Sequence, residues 1–453
     1  MDTSVKDMTK GSLWSGIFLF SFPLILSNLL QILFNMSDIA VVGRFAGSVA
    51  LGAVGSTTTL VTLFTSFLIG IGGGVNVVTA QAFGRGERED VRKTVHTAFL
   101  LCLIIGLCVL LFGELTSRLI LELLNTKDTL IDGATLYLRI YFLGMPALAI
   151  YNYGNAVFSA AGDTKKPLLF LSIAGVLNVI LNLFFVVVMK IDVAGVAIAS
   201  ISAQYFSAIA IMIALMRLKG EHGFRLKYLQ LDRRKTKTLL SLCLPGGIQN
   251  AIFQTANLFV QLGVNTFSAT VVAGNAAAQN ADGLAYDVMA AFYTACGSYI
   301  GQNYGAGNLK RVKKTYYISM FYAFAFGLCI GLTLVLFSTQ FLSLFTNDPE
   351  VLEAGRYRLT IMGLSYGFSA LMDNSIAASR GLGKGVVPTI VVIMGSCVFR
   401  IIWIFTVFAV FKTITSLYLL YIFSWTITGI AEAWYFHRVY REAEKRMTVS
   451  VTV

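Results

Sequence analysis

The sequence predicts an all-α integral membrane protein: twelve transmembrane helices in two parallel-repeat six-helix lobes. Three observations carry the prediction. Of 453 residues, 56% are hydrophobic and only 13% charged, with a mean hydropathy of +0.74, whereas an ordinary soluble domain carries about 25% charge. Twelve runs reach the roughly 20 mostly apolar residues that a spanning helix needs. The two halves also share residues at a nearly constant spacing. A soluble enzyme of this length would need far more polar surface, so that class is excluded.

The spans fall near 14–41, 50–80, 94–117, 130–157, 167–189, 193–216, 238–264, 270–300, 315–341, 353–379, 386–411 and 414–437. Many contain Gly, and some contain Pro, among them Pro23, Pro146 and Pro245, residues commoner in membrane helices than in soluble ones. The start, MDTSVKDMTKGSLWSG, has no cleavable signal pattern and reads as a cytoplasmic lead-in. The net charge of +12 sits in short loops. It therefore reads as membrane topology and not as a nucleic-acid footprint. The even connections carry 20 basic residues, among them Arg85, Lys93, Lys165, Arg233, Lys235, Arg311 and Lys384; the odd ones carry five, Arg44, Arg118, Lys127, Lys190 and Lys412. Positive residues stay in the cytoplasm, so the even loops and both termini are expected there, in a multi-pass protein of the cell membrane.

The most informative feature is an internal repeat. QAFGRGEREDVRKT from Gln81 recurs as QNYGAGNLKRVKKT from Gln302, an offset of 221, which Pro167 and Pro388 share. Pro23, Asn28 and Asn35 recur as Pro245, Asn250 and Asn257 at 222. Residues 1–216 then read as an amino-terminal lobe, 217–237 as a basic cytoplasmic linker and 238–453 as a carboxy-terminal lobe. Six spans per half start both halves on the same side. Such parallel repeats are one of the symmetries of secondary transporters, whose sites lie between repeats near the midplane.

Polar groups in lipid are costly unless they face protein or water. Asn28, Gln31, Asn35 and Asp38 keep one face of the first span. Asn250, Gln254, Asn257, Gln261 and Asn265 do so on the seventh, and Asn275, Gln279, Asp282 and Tyr286 on the eighth. Helix–helix hydrogen bonding is the plainer reading of any one stripe; three in symmetric positions favour a wetted cavity. Asp38 is the leading candidate. A carboxyl there can take a proton at one face and release it at the other, and the loss of charge changes which helix packing is favoured. Counted from Trp14, it lies roughly 36 Å along an untilted helix, near the outer boundary, where a hydrated capping carboxylate is the alternative. Asn178 and Asn182 are adjacent on the fifth span, as a site or an interhelical clamp. Asp373 in the tenth span is either functional or a structural partner of Arg380. Asp282 and Asp287 point about 140° apart, and Asp282 is favoured because it shares the stripe. Arg400 lies deep in FRIIWIF and needs a partner. Glu114 and Glu432 fall near span ends and are expected at the interface.

Absent motifs narrow the class. There is no GxxxxGK[ST] nucleotide loop and no TVGYG-like filter. His96, His222 and His437 do not cluster with Cys or acids, so no metal site is expected. Cys102, Cys108, Cys243, Cys296, Cys329 and Cys397 lie in apolar runs without a CxxC pair, which supports neither zinc nor disulfides.

These residues resemble the MATE family of multidrug and toxic-compound extrusion transporters over nearly the whole chain. The resemblance rests on NMSDIAVVGR (Asn35, Asp38, Val42, Gly43, Arg44), the doubled QxxGxG segments at Gln81 and Gln302, GDTKKP from Gly162 and SRGLGKG from Ser379. It implies a twelve-helix, two-lobed, V-shaped antiporter that exports cationic or amphipathic organic compounds in exchange for H+ or Na+, with no cofactor besides the coupling ion. It implies a cation-coupling role for Asp38, the family's first-helix aspartate. Asn178 looks like the fifth-helix asparagine, and Asn182 stands where proton-coupled members often carry aspartate. Ser200 matches a small hydroxyl position of the sixth helix, and Asp373 lies near the tenth-helix acid; its repeat counterpart is Asn152. Sodium-type members commonly carry a seventh-helix glutamate, where this chain has Gln249, Gln254 and Asn257. Asp282 joins the expected coupling set. Asn28, Gln31, Asn35, Gln249, Gln254, Asn257, Gln279 and Tyr286 are the expected substrate-cavity residues. The expected partners are small organic substrates and the lipid bilayer, with no nucleic acid, and the chain is expected to be a monomer.

Three functions compete. A cation-coupled exporter accounts for the repeat, the stripes and Asp38. A lipid-linked oligosaccharide flippase would want a strongly cationic cavity for pyrophosphate, for which Arg400 is the lone deep candidate. A membrane-embedded enzyme would need a nucleophile–base or metal constellation, and no such grouping can be read.

Overall fold

The computed structural model describes residues 7–218 and 223–451. The lead-in 1–6, linker residues 219–222 with Lys219 and His222, and residues 452–453 lie outside the described residues. Every regular element among the described residues is helical. Besides a 3-10 turn at Leu226–Tyr228 and a short helix at Ser338–Leu342, twelve long helices follow in order among the described residues: α1 (Leu13–Val41), α2 (Gly47–Arg85), α3 (Arg88–Leu123), α4 (Asp128–Leu143 with Met145–Ala160), α5 (Lys165–Leu183), α6 (Asp192–Arg217), α7 (Arg233–Val264), α8 (Ala269–Gly305), α9 (Leu309–Leu336), α10 (Pro349–Gly381), α11 (Val386–Phe411) and α12 (Ile414–Val451).

Length and apolar character alone pick out seven spanning stretches, with α1 and α2 joined as one of 73 residues, and the two halves of α4 add an eighth. The others, α7, α8 and α10, are interrupted by Asn, Gln, Asp and Arg, and they carry much of the chemistry described below. The halves of α4 meet at 43° at Gly144. Pro146 follows there and has no N–H for the turn before it. The outer faces carry large apolar side chains such as Leu115, Phe405 and Val410, as a surface in contact with acyl chains requires.

The duplication is visible in the backbone. Gly86 and Gly307, at φ +72° and +73°, end α2 and α8; Gly162 and Gly383, at +81° and +83°, follow α4 and α10. These left-handed turns explain why the doubled motifs carry glycine. Lys190 and Lys412 adopt the same conformation after α5 and α11 (φ 54° and 49°). A π-helical turn, Phe184–Val188, follows α5, and a similar one, Ile404–Phe408, lies in α11.

The chain separates into two compact units. One contains Leu26–Gly247; the other contains Met8–Ile25 and everything from Ile248 onward. The division differs from the expected boundaries at 216 and 238, because the first halves of α1 and α7 pack away from their own repeats. In the first unit, a Cβ on Gly70 would meet Gly246 O at 2.5 Å, and one on Gly74 the Cα of Cys243 at 2.6 Å. The segment before α7 is held as well: Phe224 stacks on His96 at 5.1 Å, and the Asp232 N–H donates to Thr97 Oγ1 (3.2 Å). In the second unit a Cβ on Gly16 would meet Tyr299 Oη at 2.7 Å. There Arg311 donates to the carbonyls of Gly11 (3.0 Å), Lys10 (3.2 Å) and Met8 (3.3 Å). Each unit has its own apolar core. The first is built around Val75, Val95, Tyr153 and Ile211, the second around Ile17, Ala281, Phe292 and Leu359. Among the described residues none of the six cysteines forms a disulfide.

Candidate functional site

In the first unit, α1, α5 and α6 bring Asp38, Asn178, Asn182 and Ser200 together. Gly175 permits it: a Cβ there would stand 1.7 Å from Phe34 Cε2, so only glycine lets α1 lie this close to α5 one turn before Asn178. The Asn182 amide donates to Asp38 Oδ1, and Ser200 Oγ donates to Asp38 Oδ2 at 3.2 Å. Asn182 Nδ2 also reaches Asn178 Oδ1 at 3.2 Å, and Asn178 Nδ2 reaches Ser200 Oγ at 3.5 Å. Asn178, Asn182 and Ser200 are buried and Asp38 is half-buried. Asn182 Oδ1 is buried without a hydrogen-bond partner. Among the described residues no Lys or Arg pairs with Asp38, so its partners are neutral. Tyr137 and Tyr141 lie within its electrostatic reach; neither they nor Gly175 belongs to a polar stripe, which is why sequence patterning missed them. On the same helix Gln31 and Asn35 are exposed and Asn28 is partly buried.

The second unit is built differently. Asp282 was expected as a coupling carboxyl, but both of its oxygens are engaged. Arg358 of α10 pairs with Oδ2, and Tyr366 donates its hydroxyl proton to Oδ1 at 2.6 Å. Arg358 is 1% exposed. It also donates to Asn275 Oδ1, which accepts from Tyr418 Oη at 3.3 Å, and its guanidinium lies 5.3 Å above the Tyr418 ring. Arg358 escaped sequence reading because it sits two residues from Arg356 near the start of α10, where a basic residue looks interfacial. Gln279 donates to Gln261 Oε1 at 3.4 Å at the edge of this network, and Tyr286 is exposed beyond it.

A second network spans α7, α10, α11 and α12. Arg400, whose partner the sequence could not name, donates to Asn257 Oδ1 (2.9 Å) and Ser424 Oγ (3.4 Å) and lies over the rings of Tyr421 (4.7 Å) and Phe253 (4.8 Å). Arg380 donates to Gln249 Oε1 at 2.8 Å and Thr389 Oγ1 at 3.3 Å. Asp373 is within electrostatic reach of both Arg380 and Arg400. Gln254 is partly buried on α7, and Asp287 is partly buried on α8. Glu432 corrects an expectation: it is 0% exposed instead of interfacial, because α12 presses against α10 at this level. Glu114 is half-buried.

The structure therefore gathers part of the predicted set into three groups, the Asp38 cluster, the Asp282–Arg358 pair, and the set around Arg380, Asp373 and Arg400, and leaves Gln31, Asn35 and Tyr286 exposed outside them. Among the described residues no group of His, Cys, Asp and Glu could hold a metal ion.

Comparison with known proteins fits this geometry. The chain is 28% identical over 363 residues to a "Probable multidrug resistance protein YpnP" of Bacillus subtilis, covering 80% of this chain and 81% of that one. It is 24% identical over 340 residues to an "FAD transporter" of Shewanella oneidensis, covering 74% and 75%. A solved multidrug resistance MATE family transporter in an outward-facing conformation superposes with a TM-score of 0.91 at 20% identity, covering 98% of this chain and 100% of that chain. The family model MatE matches twice, over residues 23–184 and 245–406, the two repeats that the doubled turns define. Because these two matches take in most of the twelve-helix fold, the chain belongs to the MatE family, a family of multi-pass membrane transporters rather than enzymes.

Proposed function

We propose that the chain is a secondary antiporter of the cell membrane that exports organic compounds, cationic or amphipathic ones among them, in exchange for H+ or Na+. In this reading both termini are cytoplasmic and the chain works as a monomer. One observation carries it: the Asp38 carboxyl is held by neutral groups alone, in a membrane-embedded cluster of oxygens. A half-buried acid without a counter-cation is the group whose charge a mobile cation can cancel. Amides suit both states, because turning an Asn side chain exchanges a donor for an acceptor. Asn182 Oδ1, buried and unpartnered, is the acceptor such a turn would bring toward a bound proton or sodium ion. Asn178 Oδ1 and Ser200 Oγ complete an oxygen set of the kind hard cations take. Binding then removes the reason for α1, α5 and α6 to stay clasped, and the packing around Phe34 and Gly175 can change.

Asp282 is assigned a structural role in this account, because Arg358 already cancels its charge. Asp373 is retained as a coupling candidate. The polar residues Asn28, Gln31, Asn35, Gln249, Gln254, Asn257, Gln279 and Tyr286 are proposed to contribute to substrate passage. A flippase for lipid-linked oligosaccharide is not favoured: Arg358 is neutralised by Asp282, and Arg400 is engaged by Asn257, Ser424 and two aromatic rings.

The test is ethidium accumulation in cells stripped of their own efflux pumps. Expression should lower accumulation, a protonophore or sodium removal should restore it, and Asp38→Asn should behave as the empty vector does. Equal accumulation with and without the protein would refute organic-compound export.

A further inference from the structure

The two units keep one register, and one face breaks it. Tyr153 Oη of α4 donates to the Val95 carbonyl of α3 at 3.1 Å; 221 residues on, Asn374 Nδ2 of α10 donates to the Tyr316 carbonyl of α9 at 3.2 Å. A Cβ on Gly106 would meet Pro146 Cα at 2.9 Å, and one on Gly327 would lie 3.4 Å from Gly367 N. Helix α3 therefore corresponds to α9, and the second half of α4 to that of α10.

In the first unit the chain leaves α6 at Leu218 in an extended conformation (φ −61°, ψ 129°) and folds back over α3. Phe224 is 1% exposed and lies 5.1 Å from the His96 ring and 4.6 Å from the Phe99 ring. The Arg225 N–H donates to His96 Nε2 at 3.0 Å. Phe224 shares one apolar core with Phe99, Leu103, Ala147 and Ile150. In the second unit α12 does not turn but runs on as helix to Val451. His96, Phe99 and Leu103 correspond to Tyr317, Met320 and Phe324; Ala147 and Ile150 correspond to Phe368 and Leu371. With no counterpart of Phe224 over them, these residues line an open groove of about 430 Å³, a volume usual for ligand sites. Tyr317, Phe324 and Phe368 are exposed.

The charges at the mouth of the groove differ in the same way. In the first unit Lys93 pairs with Glu89 one turn earlier, at 2.7 Å. The corresponding residues of α9 are Lys314 and Lys310, two exposed bases one turn apart. Among the described residues neither is in an ion pair, and the nearby acid of α12, Glu442, is engaged by Arg438 at 3.3 Å. Like charges at this spacing repel, and an anion between them relieves the repulsion. Tyr317 Oη, 3.0 Å from His437 Nε2, forms the polar rim between the lysines and the aromatic floor. Lys310 to Phe324 spans roughly 21 Å of helix, the reach of a phosphate headgroup and the upper part of an acyl chain.

We propose that this groove binds an anionic phospholipid of the bilayer, its phosphate on Lys310 and Lys314 and an acyl chain along Phe324 and Phe368, where Phe224 and its segment lie in the first unit. The inference goes beyond the export reading and takes from it only the cytoplasmic placement of this end of α9. The lysines reject an amphipathic cation, so the occupant is a lipid and not an exported compound.

The test places the photo-crosslinking residue p-benzoylphenylalanine at Phe321, which lines the groove, or at Phe405 of α11, an exposed control. The purified full chain is illuminated in vesicles of equimolar phosphatidylglycerol and phosphatidylcholine, and the adducts are weighed by mass spectrometry. Phosphatidylglycerol should exceed phosphatidylcholine about fivefold at 321, the preference expected of one well-placed lysine, and match it at 405. Lys310→Glu rebuilds the Glu–Lys pair of the first unit at an exposed position and should bring the ratio at 321 down to that at 405. Equal ratios at the two positions, a preference unchanged in Lys310→Glu, or adducts at 321 to protein alone would overturn the site. No substrate or gradient enters the measurement, so its failure is distinguishable from failure of the export reading.

Discussion

Replacing Arg358 by Met should destabilise the second unit far more than replacing Arg358 and Asp282 together. Arg358 is 1% exposed, and the pair's acid side chain is 28% exposed. Removing one partner of a buried pair typically costs about 3–5 kcal/mol, because the other charge is left uncompensated. The partial exposure of Asp282 places Arg358→Met near the lower end, about 3 kcal/mol. Tyr366 remains on Asp282 Oδ1, but Asn275 loses its guanidinium donor. The Arg358→Met, Asp282→Asn double variant buries no charge and leaves a flexible thioether against the Tyr418 and Tyr421 rings, so its loss should be about 1 kcal/mol. The double-mutant cycle should then give a coupling of at least about 2 kcal/mol. Unfolding in mixed detergent micelles, followed by circular dichroism, measures all four forms. If Arg358→Met is as stable as the wild type, or if the two single losses simply add, the structural assignment of Asp282 is wrong.

Other predictions follow from the same geometry. Gly175→Ala should push α1 off α5, cost about 1–3 kcal/mol through overpacking and abolish ion-driven transport. Adding Phe34→Ala should recover much of the stability, as thermal unfolding would show. At the loop end of α3, burial opposes ionisation of Asp90, but hydrogen bonds from Lys235 and Arg85 outweigh it and hold the carboxyl below its usual range. A depressed carboxyl contributes stability above its unfolded pKa of about 3.9 and loses it as pH falls through the folded value. The stability gap between wild type and Asp90→Asn should therefore be full at neutral pH, close in acid, and narrow in high salt. Asn182→Leu should leave Asp38 with Ser200 as its hydrogen-bond donor and weaken ion-driven transport while ethidium binding, read by fluorescence anisotropy, persists.

Much of the fold was legible because burial in lipid writes itself into composition and periodicity. A span must be apolar over about 20 residues, so twelve runs could be drawn from the sequence. Glycines with a required backbone conformation, at 86, 162, 307 and 383, made the duplication visible before any coordinate. The Asp38 cluster was partly legible for the same reason: polar groups on a lipid-embedded helix stand out. What was not legible depends on which helices meet. Nothing in α1 or α7 shows that their first halves pack away from their own repeats, because Pro23 and Pro245 interrupt neither helix. Gly175 resembles any membrane glycine until Phe34 is placed over it. Glu432 was expected at the interface because it falls near a span end, and Arg358 was not singled out at all, yet helix packing encloses both. Asp282 shows the converse limit, since the stripe that singles it out says nothing of its pairing with Arg358, 76 positions away.

The most direct measurement is transport by purified protein in liposomes with proton and sodium gradients imposed one at a time, comparing wild type with Asp38→Asn. The account predicts that one gradient accelerates ethidium movement in the wild type and that neither does so in the variant, which still binds ethidium. A wild type indifferent to both gradients, or a variant driven as strongly as the wild type, would contradict the claim that Asp38 carries the coupling.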